Sequence, residues 1–120
     1  MAEMIFYGPL MKNYQVSSVY IGGGTPSSID EQWIAALMEG VFDCFNVLPD
    51  AEISIECNPG TLSREKLLAY RDAGINRLSI GLQSANNDEL KLLGRIHTFE
   101  QFVTNYEVAR NVGFKNINVD

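Results

Sequence analysis

The chain has 120 residues, of which 46% are hydrophobic, and it carries a formal net charge of −6. This length and hydrophobic content are typical of one domain with a buried core and exclude a disordered chain. The nine basic residues are scattered, which argues against a nucleic-acid partner because phosphate neutralisation requires clustered lysine and arginine. No apolar run is long enough for a membrane span and no leader pattern is present, so we predict a cytoplasmic protein.

The first predicted strand is Val19–Ile21, and it leads directly into the run Gly22-Gly23-Gly24-Thr25-Pro26. The segment 1–18 before it shows no clear strand pattern of its own. Because glycine lacks a Cβ and accepts strained backbone angles, this run could bring backbone amides into contact with a ligand. A glycine run is also typical of a tight packing turn, so this segment by itself leaves both interpretations open.

Four helix starts follow, each marked by a residue whose side chain can accept a hydrogen bond from a free backbone amide. The first, the third and the last also have a glutamate or glutamine three residues further on, which is the spacing of a capping box. Glycine stands where the second, third and fourth helices are expected to end. The predicted caps are Ser28, Ser63, Asn86 and Thr98, and the terminating glycines are Gly74, Gly94 and Gly113.

Three further strands are predicted between these helices, at Glu52–Glu56, Arg77–Gly81 and Asn116–Asp120. Each is short, rich in β-forming residues and bounded by turn residues. The last two are approached through the same order of helix, glycine, apolar residue and strand, which is how a parallel βα array is built. We therefore predict an α/β fold of parallel βα repeats whose four strands have their carboxyl ends on one rim, where such folds bind ligands.

Both ends of the predicted array are open. It begins with a strand that no repeat precedes, and it ends at Asp120 without a closing helix. A buried parallel strand requires a crossover on each side, so the pattern predicts part of a larger sheet or barrel, completed by further chain or by another subunit. Open sheet edges also permit a different class of function, a non-catalytic half-barrel that self-associates.

Small and polar residues collect at the predicted rim. Glu56 and Asp120 supply carboxylates that can accept from a ribose diol or an ammonium group, and Gln83 can both donate and accept. Arg95 can pair with a ligand carboxylate, and the alternative is an ordinary solvated arginine. Glu56 likewise has structural alternatives, capping the next helix or pairing with Arg77 at the strand edge. Together these side chains suit a zwitterion with a sugar attached.

The remaining reactive side chains receive structural interpretations. His97 directly precedes the Thr98 cap, where a helix-end contact is more common than catalysis. Cys44 and Cys57 have no CxxC spacing, so packing thiols are favoured over a disulfide or a metal pair. No Ser-His-Asp set and no phosphate-loop lysine is present, which leaves hydrolase and nucleoside-triphosphatase functions without support.

Four segments occur in a fixed order: YIGGGTPS at 20–27, IECNP at 55–59, RLSIGLQS at 77–84 and LLGRIH at 92–97. With Asn118-Val119-Asp120, they resemble the oxygen-independent coproporphyrinogen III oxidase family of radical SAM proteins, which includes a heme-chaperone branch. The resemblance implies a partial TIM-like barrel that binds S-adenosylmethionine (SAM) beside a [4Fe-4S] cluster. In that family the cluster donates an electron that cleaves SAM, and in the oxidase branch the resulting 5′-deoxyadenosyl radical abstracts hydrogen from a porphyrinogen propionate.

The resemblance also implies a role for each rim residue. Gly23, Gly24 and Thr25 of the glycine loop would contact the methionyl amino group of SAM, and Arg95 would contact its carboxylate. Glu56, Gln83 and Asp120 would contact the remaining polar groups, chiefly the ribose. Porphyrinogen or heme would be the partner of the full-length parent.

The chain departs widely from this family. The family holds its cluster with a C-x3-C-x2-C loop, and residues 1–18 contain no cysteine. The resemblance therefore implies an internal fragment of the radical SAM core, without the cluster loop and the C-terminal domain. Residues 1–17 would be a helix end and linker, and 18–120 the βα repeats. We expect no radical chemistry from the chain alone, and a cluster only in the full-length parent. Coproporphyrinogen oxidation, heme transfer by a chaperone, and an unrelated phosphate-binding half-barrel stay open.

Overall fold

A four-stranded parallel sheet organises the chain. The computed structural model describes residues 1–120, and its strands are β1 (Gln15–Ile21), β2 (Asn46–Cys57), β3 (Arg77–Ile80) and β4 (Asn116–Val119). They lie in the sheet in the order of the sequence, and all three pairings are parallel. The predicted fold of parallel βα repeats is therefore confirmed.

Five α-helices surround the strands in the sequence, with a short 3₁₀ turn after β1 and another after β2. None of the helices has the length and apolar character needed to cross a membrane. The helices are α1 (Ala2–Leu10), α2 (Glu31–Cys44), α3 (Arg64–Asp72), α4 (Asn87–Leu92) and α5 (Phe99–Asn111), and the 3₁₀ turns are Pro26–Ser28 and Pro59–Thr61.

One hydrophobic core lies between the sheet and the helices α2, α3 and α5. Ile55 and Leu78 of the strands are fully buried, and they belong to the same cluster as Met38, Leu67 and Ala109 of the three helices. Because successive strand residues point to opposite faces, the intervening strand positions face away from this core. Those positions are polar in β2 and β3, where they are Glu52, Ser54, Glu56, Arg77 and Ser79.

Two strands begin earlier than the sequence patterns predict. β1 begins at Gln15 rather than Val19, and β2 begins at Asn46 rather than Glu52. The segment 1–17, expected as a helix end and linker, contains α1 and the first residues of β1. Because both strands are longer than predicted, β1 and β2 are already paired well before they reach the rim.

The pairing of β1 with the first half of β2 is irregular. The register changes from Val16 opposite Val47 to Ser18 opposite Glu52, so β2 carries extra residues that have no direct partner. Such a bulge accommodates Pro49, which cannot donate to a regular ladder. Proline followed by aspartate is a turn signal in the sequence, and only the pairing with β1 overrides it.

One predicted helix cap is wrong and three are confirmed. The cap of α2 is Asp30, whose side chain accepts a hydrogen bond from the Gln32 amide at 2.9 Å. Ser28 instead donates its hydroxyl to the carbonyl of Thr25 at 2.7 Å, because the chain makes a 3₁₀ turn before α2 begins. The confirmed caps are Ser63, Asn86 and Thr98, and the confirmed terminating glycines, all with positive φ, are Gly74, Gly94 and Gly113.

Tyr70 of α3 is fully buried, and its hydroxyl has no hydrogen-bond partner. We expect Tyr70→Phe to leave the free energy of unfolding unchanged or to raise it by about 1 kcal/mol, because a buried hydroxyl without a partner loses its hydration uncompensated. Tyr70→Ala also removes the ring from the core and should lower that free energy by about 3 to 5 kcal/mol. Urea denaturation measures both variants, and a marked loss in Tyr70→Phe would contradict the assignment.

Candidate functional site

A polar cleft of about 210 Å³ opens at the carboxyl ends of the four strands. Every strand contributes to its wall, directly or through the loop that follows, as expected for a parallel α/β sheet. Six of the seven predicted site residues line it, and the seventh, Gly23, adjoins it. The lining residues are Gly24, Thr25, Pro26, Glu56, Cys57, Asn58, Ser79, Gly81, Gln83, Arg95 and Asp120.

The glycine loop after β1 is shaped by the Glu56 carboxylate. The Gly23 amide donates to Glu56 Oε2 at 3.3 Å. A Cβ added at Gly22 would lie 2.7 Å from a ring carbon of Tyr20 and 3.1 Å from Glu56 Cδ, so a side chain there would displace the carboxylate. Gly23 and Gly24 have φ of +89° and +65°, a region that favours glycine, and apart from their chain neighbours no residue has an atom within 4 Å of the position of either Cβ. The loop therefore leaves open space for a ligand to approach its backbone.

Tyr20 holds Glu56 from the opposite side and was missed by the sequence analysis. Its hydroxyl donates to Glu56 Oε1 at 2.6 Å, although the side chain is 56% exposed. This hydrogen bond to the carboxylate raises the pKa of Tyr20 above its ordinary value, so the phenol remains a donor. The alternation of side chains along a strand could have predicted this position, because Tyr20 lies two residues before Gly22 and therefore on the same face.

Glu56 does not pair with the arginine at the strand edge. Arg77 pairs with Glu52, at 3.7 Å between Nη1 and Oε1, and the structural alternative of a pair between Arg77 and Glu56 is wrong. Ser79 is the neighbour of Glu56 in the parallel register and lines the cleft, which the sequence analysis also missed. Glu56 therefore lines the cleft without an arginine partner.

Gln83 enters the cleft through an uncommon backbone conformation. It has a φ of 72°, and it is the only residue other than glycine with a positive φ. Its backbone amide donates to the backbone oxygen of Asp120 at 2.6 Å, and the backbone amide of Asp120 donates to the carbonyl of Ile80 at 3.0 Å. Residues held in such sparsely populated conformations cluster at functional sites. The exit of β3 is thus tied to the end of β4, where Asp120 lines the same cleft.

A buried polar cluster joins the loop after β1 to the loop after β2. Ser27 is fully buried, and its hydroxyl lies 2.6 Å from the Thr61 hydroxyl and accepts from the Asn58 amide at 2.9 Å. Lys66 of α3 donates to the Ser27 carbonyl at 2.5 Å. Buried polar groups with their hydrogen bonds satisfied fix a loop in one arrangement. The glycine loop and the end of β2 are therefore held together before any ligand binds.

Residues 9–120 match the family model described as the radical SAM superfamily. The chain belongs to the radical SAM superfamily. It is 40% identical over 106 residues to heme chaperone HemW of Bacillus subtilis, which is 88% of this chain and 28% of that protein. It is 36% identical over 109 residues to oxygen-independent coproporphyrinogen III oxidase of Bradyrhizobium diazoefficiens, which is 91% of this chain and 24% of that protein. The chain thus spans less than a third of either relative.

The fold comparison agrees with this membership. The structure of coproporphyrinogen III oxidase (HemN) from Escherichia coli, described as a radical SAM enzyme, matches with a TM-score of 0.91 and 35% sequence identity. The match covers 98% of this chain and 27% of that one. The resemblance to this family and the expected partial radical SAM barrel are therefore both confirmed.

Radical SAM proteins in general use SAM and a [4Fe-4S] cluster, and the residues of this chain fit only the first. Clusters are held by cysteine thiolates. Cys44 lies in α2, and Cys57, only 6% exposed, ends β2, where burial raises the pKa of its thiol to about 12. Both are free thiols, and no group of three or more metal-ligating side chains occurs.

The polar cleft, in contrast, has the donors and acceptors that SAM requires. Two carboxylates, Glu56 and Asp120, can face a positively charged or hydroxylated ligand, and Arg95 can face a carboxylate. The open space over Gly23 and Gly24 leaves their backbone accessible. The arrangement therefore fits a small zwitterion with polar groups along its length.

The two cysteines are expected to differ in reactivity, because the thiolate is the reactive form and burial disfavours it in Cys57. Alkylation of the native chain near neutral pH should modify Cys44, which is partly exposed, and leave Cys57 largely unmodified. Unfolding in guanidinium should make both react. Mass spectrometry of digested samples measures each site, and equal labelling of the two cysteines in the native chain would contradict this assignment.

Proposed function

We propose that this chain supplies the SAM-binding strand ends of a radical SAM protein that acts on a tetrapyrrole. The observation that carries the proposal is the convergence on one cleft of glycine backbone, two acids and an amide from the ends of the strands and an arginine from the α4–α5 loop. When bound beside a reduced cluster, SAM supplies one-electron chemistry for hydrogen abstraction. The residues of this chain would bind and orient it.

The glycine loop and Arg95 would bind the methionyl end of SAM. Gly23 and Gly24 leave room for close approach of the amino group, and Thr25 lies beside them in the cleft wall. Arg95 would pair with the carboxylate, a charge-assisted contact that fixes orientation as well as adding affinity. This end of the ligand is zwitterionic, which matches a cleft that contains both acids and a base.

Glu56, Gln83 and Asp120 would serve the remaining polar groups, chiefly the ribose. A carboxylate accepts from both hydroxyls of a diol, and the Tyr20 hydroxyl already occupies part of Glu56 and fixes its orientation. Gln83 and Asp120 are tied to each other through the backbone. The acceptors are therefore positioned in advance, which reduces the entropy lost on binding.

The tetrapyrrole is proposed from the relatives. Heme chaperone HemW and coproporphyrinogen III oxidase are both named for a heme or porphyrin compound. Oxidation of coproporphyrinogen and transfer of heme by a chaperone are both compatible with the residues of this chain. Heme binding and coproporphyrinogen decarboxylation, measured on the protein in which this chain occurs, would separate them.

The chain alone is expected to bind SAM without cleaving it, because its two cysteines do not fit a cluster. Anaerobic reconstitution with iron and sulfide tests this expectation. A four-iron cluster with SAM cleavage in the 120-residue chain would contradict it. A self-associating half-barrel would instead show larger particles in light scattering and no SAM binding, and a phosphate-binding half-barrel would bind phosphosugars.

The decisive variant is Glu56→Gln, tested by titration calorimetry with SAM. The parent chain should bind one SAM, and the variant should bind it roughly tenfold or more weakly, because a hydrogen bond to a charged group is worth about 1.5 to 3 kcal/mol. Glutamine keeps the size of the side chain and removes its charge.

Glu52→Gln is the matched control, since Glu52 lies on the same strand and face but outside the cleft wall. Its affinity for SAM should equal that of the parent. No binding of SAM by the parent chain would reject the proposed function, and equal losses in both variants would reject the role of Glu56.

A further inference from the structure

The imidazole of His97 is buried beside the candidate site without lining it. His97 is 2% exposed and follows α4 by a few residues. Its Nε2 lies 2.9 Å from the carbonyl of Leu82, and its Nδ1 is buried with no partner. A buried polar atom without a partner lowers stability, and an apolar side chain would avoid that loss. The hydrogen bond to Leu82 is therefore the property that distinguishes histidine from an apolar residue here.

This one hydrogen bond joins two parts of the cleft wall. Leu82 immediately precedes Gln83, the residue with the left-handed backbone, and Arg95 stands two residues before His97. Gln83 is in turn bonded through its amide to Asp120. The α4–α5 loop that carries Arg95 is thereby attached to the loop that carries Gln83. The sheet ladder ends before this point, so strand pairing does not hold the two loops together.

We infer that His97 is a positioning residue that holds Gln83 and Arg95 in register with each other across the cleft. The side chain does not touch the ligand and acts through the Leu82 carbonyl. Its effect on SAM affinity rests on the proposed function, whereas its effect on the loop is a property of the ligand-free chain.

The geometry also places a proton on one nitrogen of the ring. A carbonyl oxygen only accepts, so Nε2 carries a proton and donates it to Leu82. Nitrogen-15 NMR of the unchanged chain detects the proton on Nε2 directly. A proton on Nδ1 with a bare Nε2 would overturn the inference without any variant being made.

Two variants separate the contribution of the hydrogen-bond donor from the contribution of side-chain volume. In His97→Gln the side-chain amide nitrogen reaches about as far as Nε2, and in His97→Asn it reaches only about as far as Nδ1. Hydrogen exchange of the Gln83 backbone amide, which donates to Asp120, measures how firmly this loop is held in the absence of ligand. Titration with SAM and with methylthioadenosine, which lacks the methionyl amino and carboxylate groups, reports the two ends of the cleft.

His97→Asn should speed exchange of the Gln83 amide by about tenfold or more and weaken both SAM and methylthioadenosine, because Gln83 and Arg95 lose their common support. His97→Gln should restore exchange and affinity to near those of the parent. Arg95→Ala should weaken SAM but not methylthioadenosine. Tyr70→Phe, a buried change outside the cleft wall, should leave exchange at Gln83 and both affinities as in the parent.

The inference is overturned if His97→Asn leaves the exchange of the Gln83 amide unchanged. It is also overturned if a folded His97→Gln is as impaired as His97→Asn, since shape rather than the donor would then matter. Should the parent chain fail to bind SAM while the exchange results hold, the proposed function fails and the positioning role stands. If SAM binds and exchange does not respond to the variants, the positioning role fails and the proposed function stands.

Discussion

The parallel register of β2 with its two neighbours is the constraint on which the rest of the structure depends. Ile21 lies opposite Ile55 and Glu56 opposite Ser79, so the glycine loop, the carboxylate and the exit of β3 reach the rim at one level. A slip by one residue would turn every side chain of β2 to the other face. Glu56 would then enter the hydrophobic core and Ile55 would leave it, so core stability enforces the geometry of the candidate site.

This division between faces lets one sheet serve both stability and binding. Isoleucine and leucine at alternate positions bury against α2, α3 and α5, and that burial supplies the main driving force for folding. The intervening positions carry Tyr20, Glu56 and Ser79, whose polar groups would be costly in the core. Polar residues can therefore collect at the rim without weakening the packing that holds the strands in place.

Beyond the ends of the strands, individual hydrogen bonds from side chains and loop backbone hold the loops together in place of the sheet ladder. Ser27 ties the loop after β1 to the loop after β2, and the Gln83 amide ties the exit of β3 to Asp120. His97 adds the α4–α5 loop through Leu82. Sites whose supporting residues are locked by such hydrogen bonds hold a ligand more precisely than free loops do. The cleft of this radical SAM chain is thus arranged by contacts between successive βα units.

The sequence by itself determined the parallel βα repeats, three helix caps and the rim position of six cleft residues, because periodicity and capping are local signals. Its motifs, in their fixed order, carried the resemblance to the family. Only the tertiary structure decided the rest. Pairing with β1 extends β2 through Pro49, and the 3₁₀ turn moves the cap of α2 from Ser28 to Asp30. Tyr20 and His97 gain their roles from partners 36 and 15 residues away. Such contacts depend on how separate units pack, which no local pattern encodes.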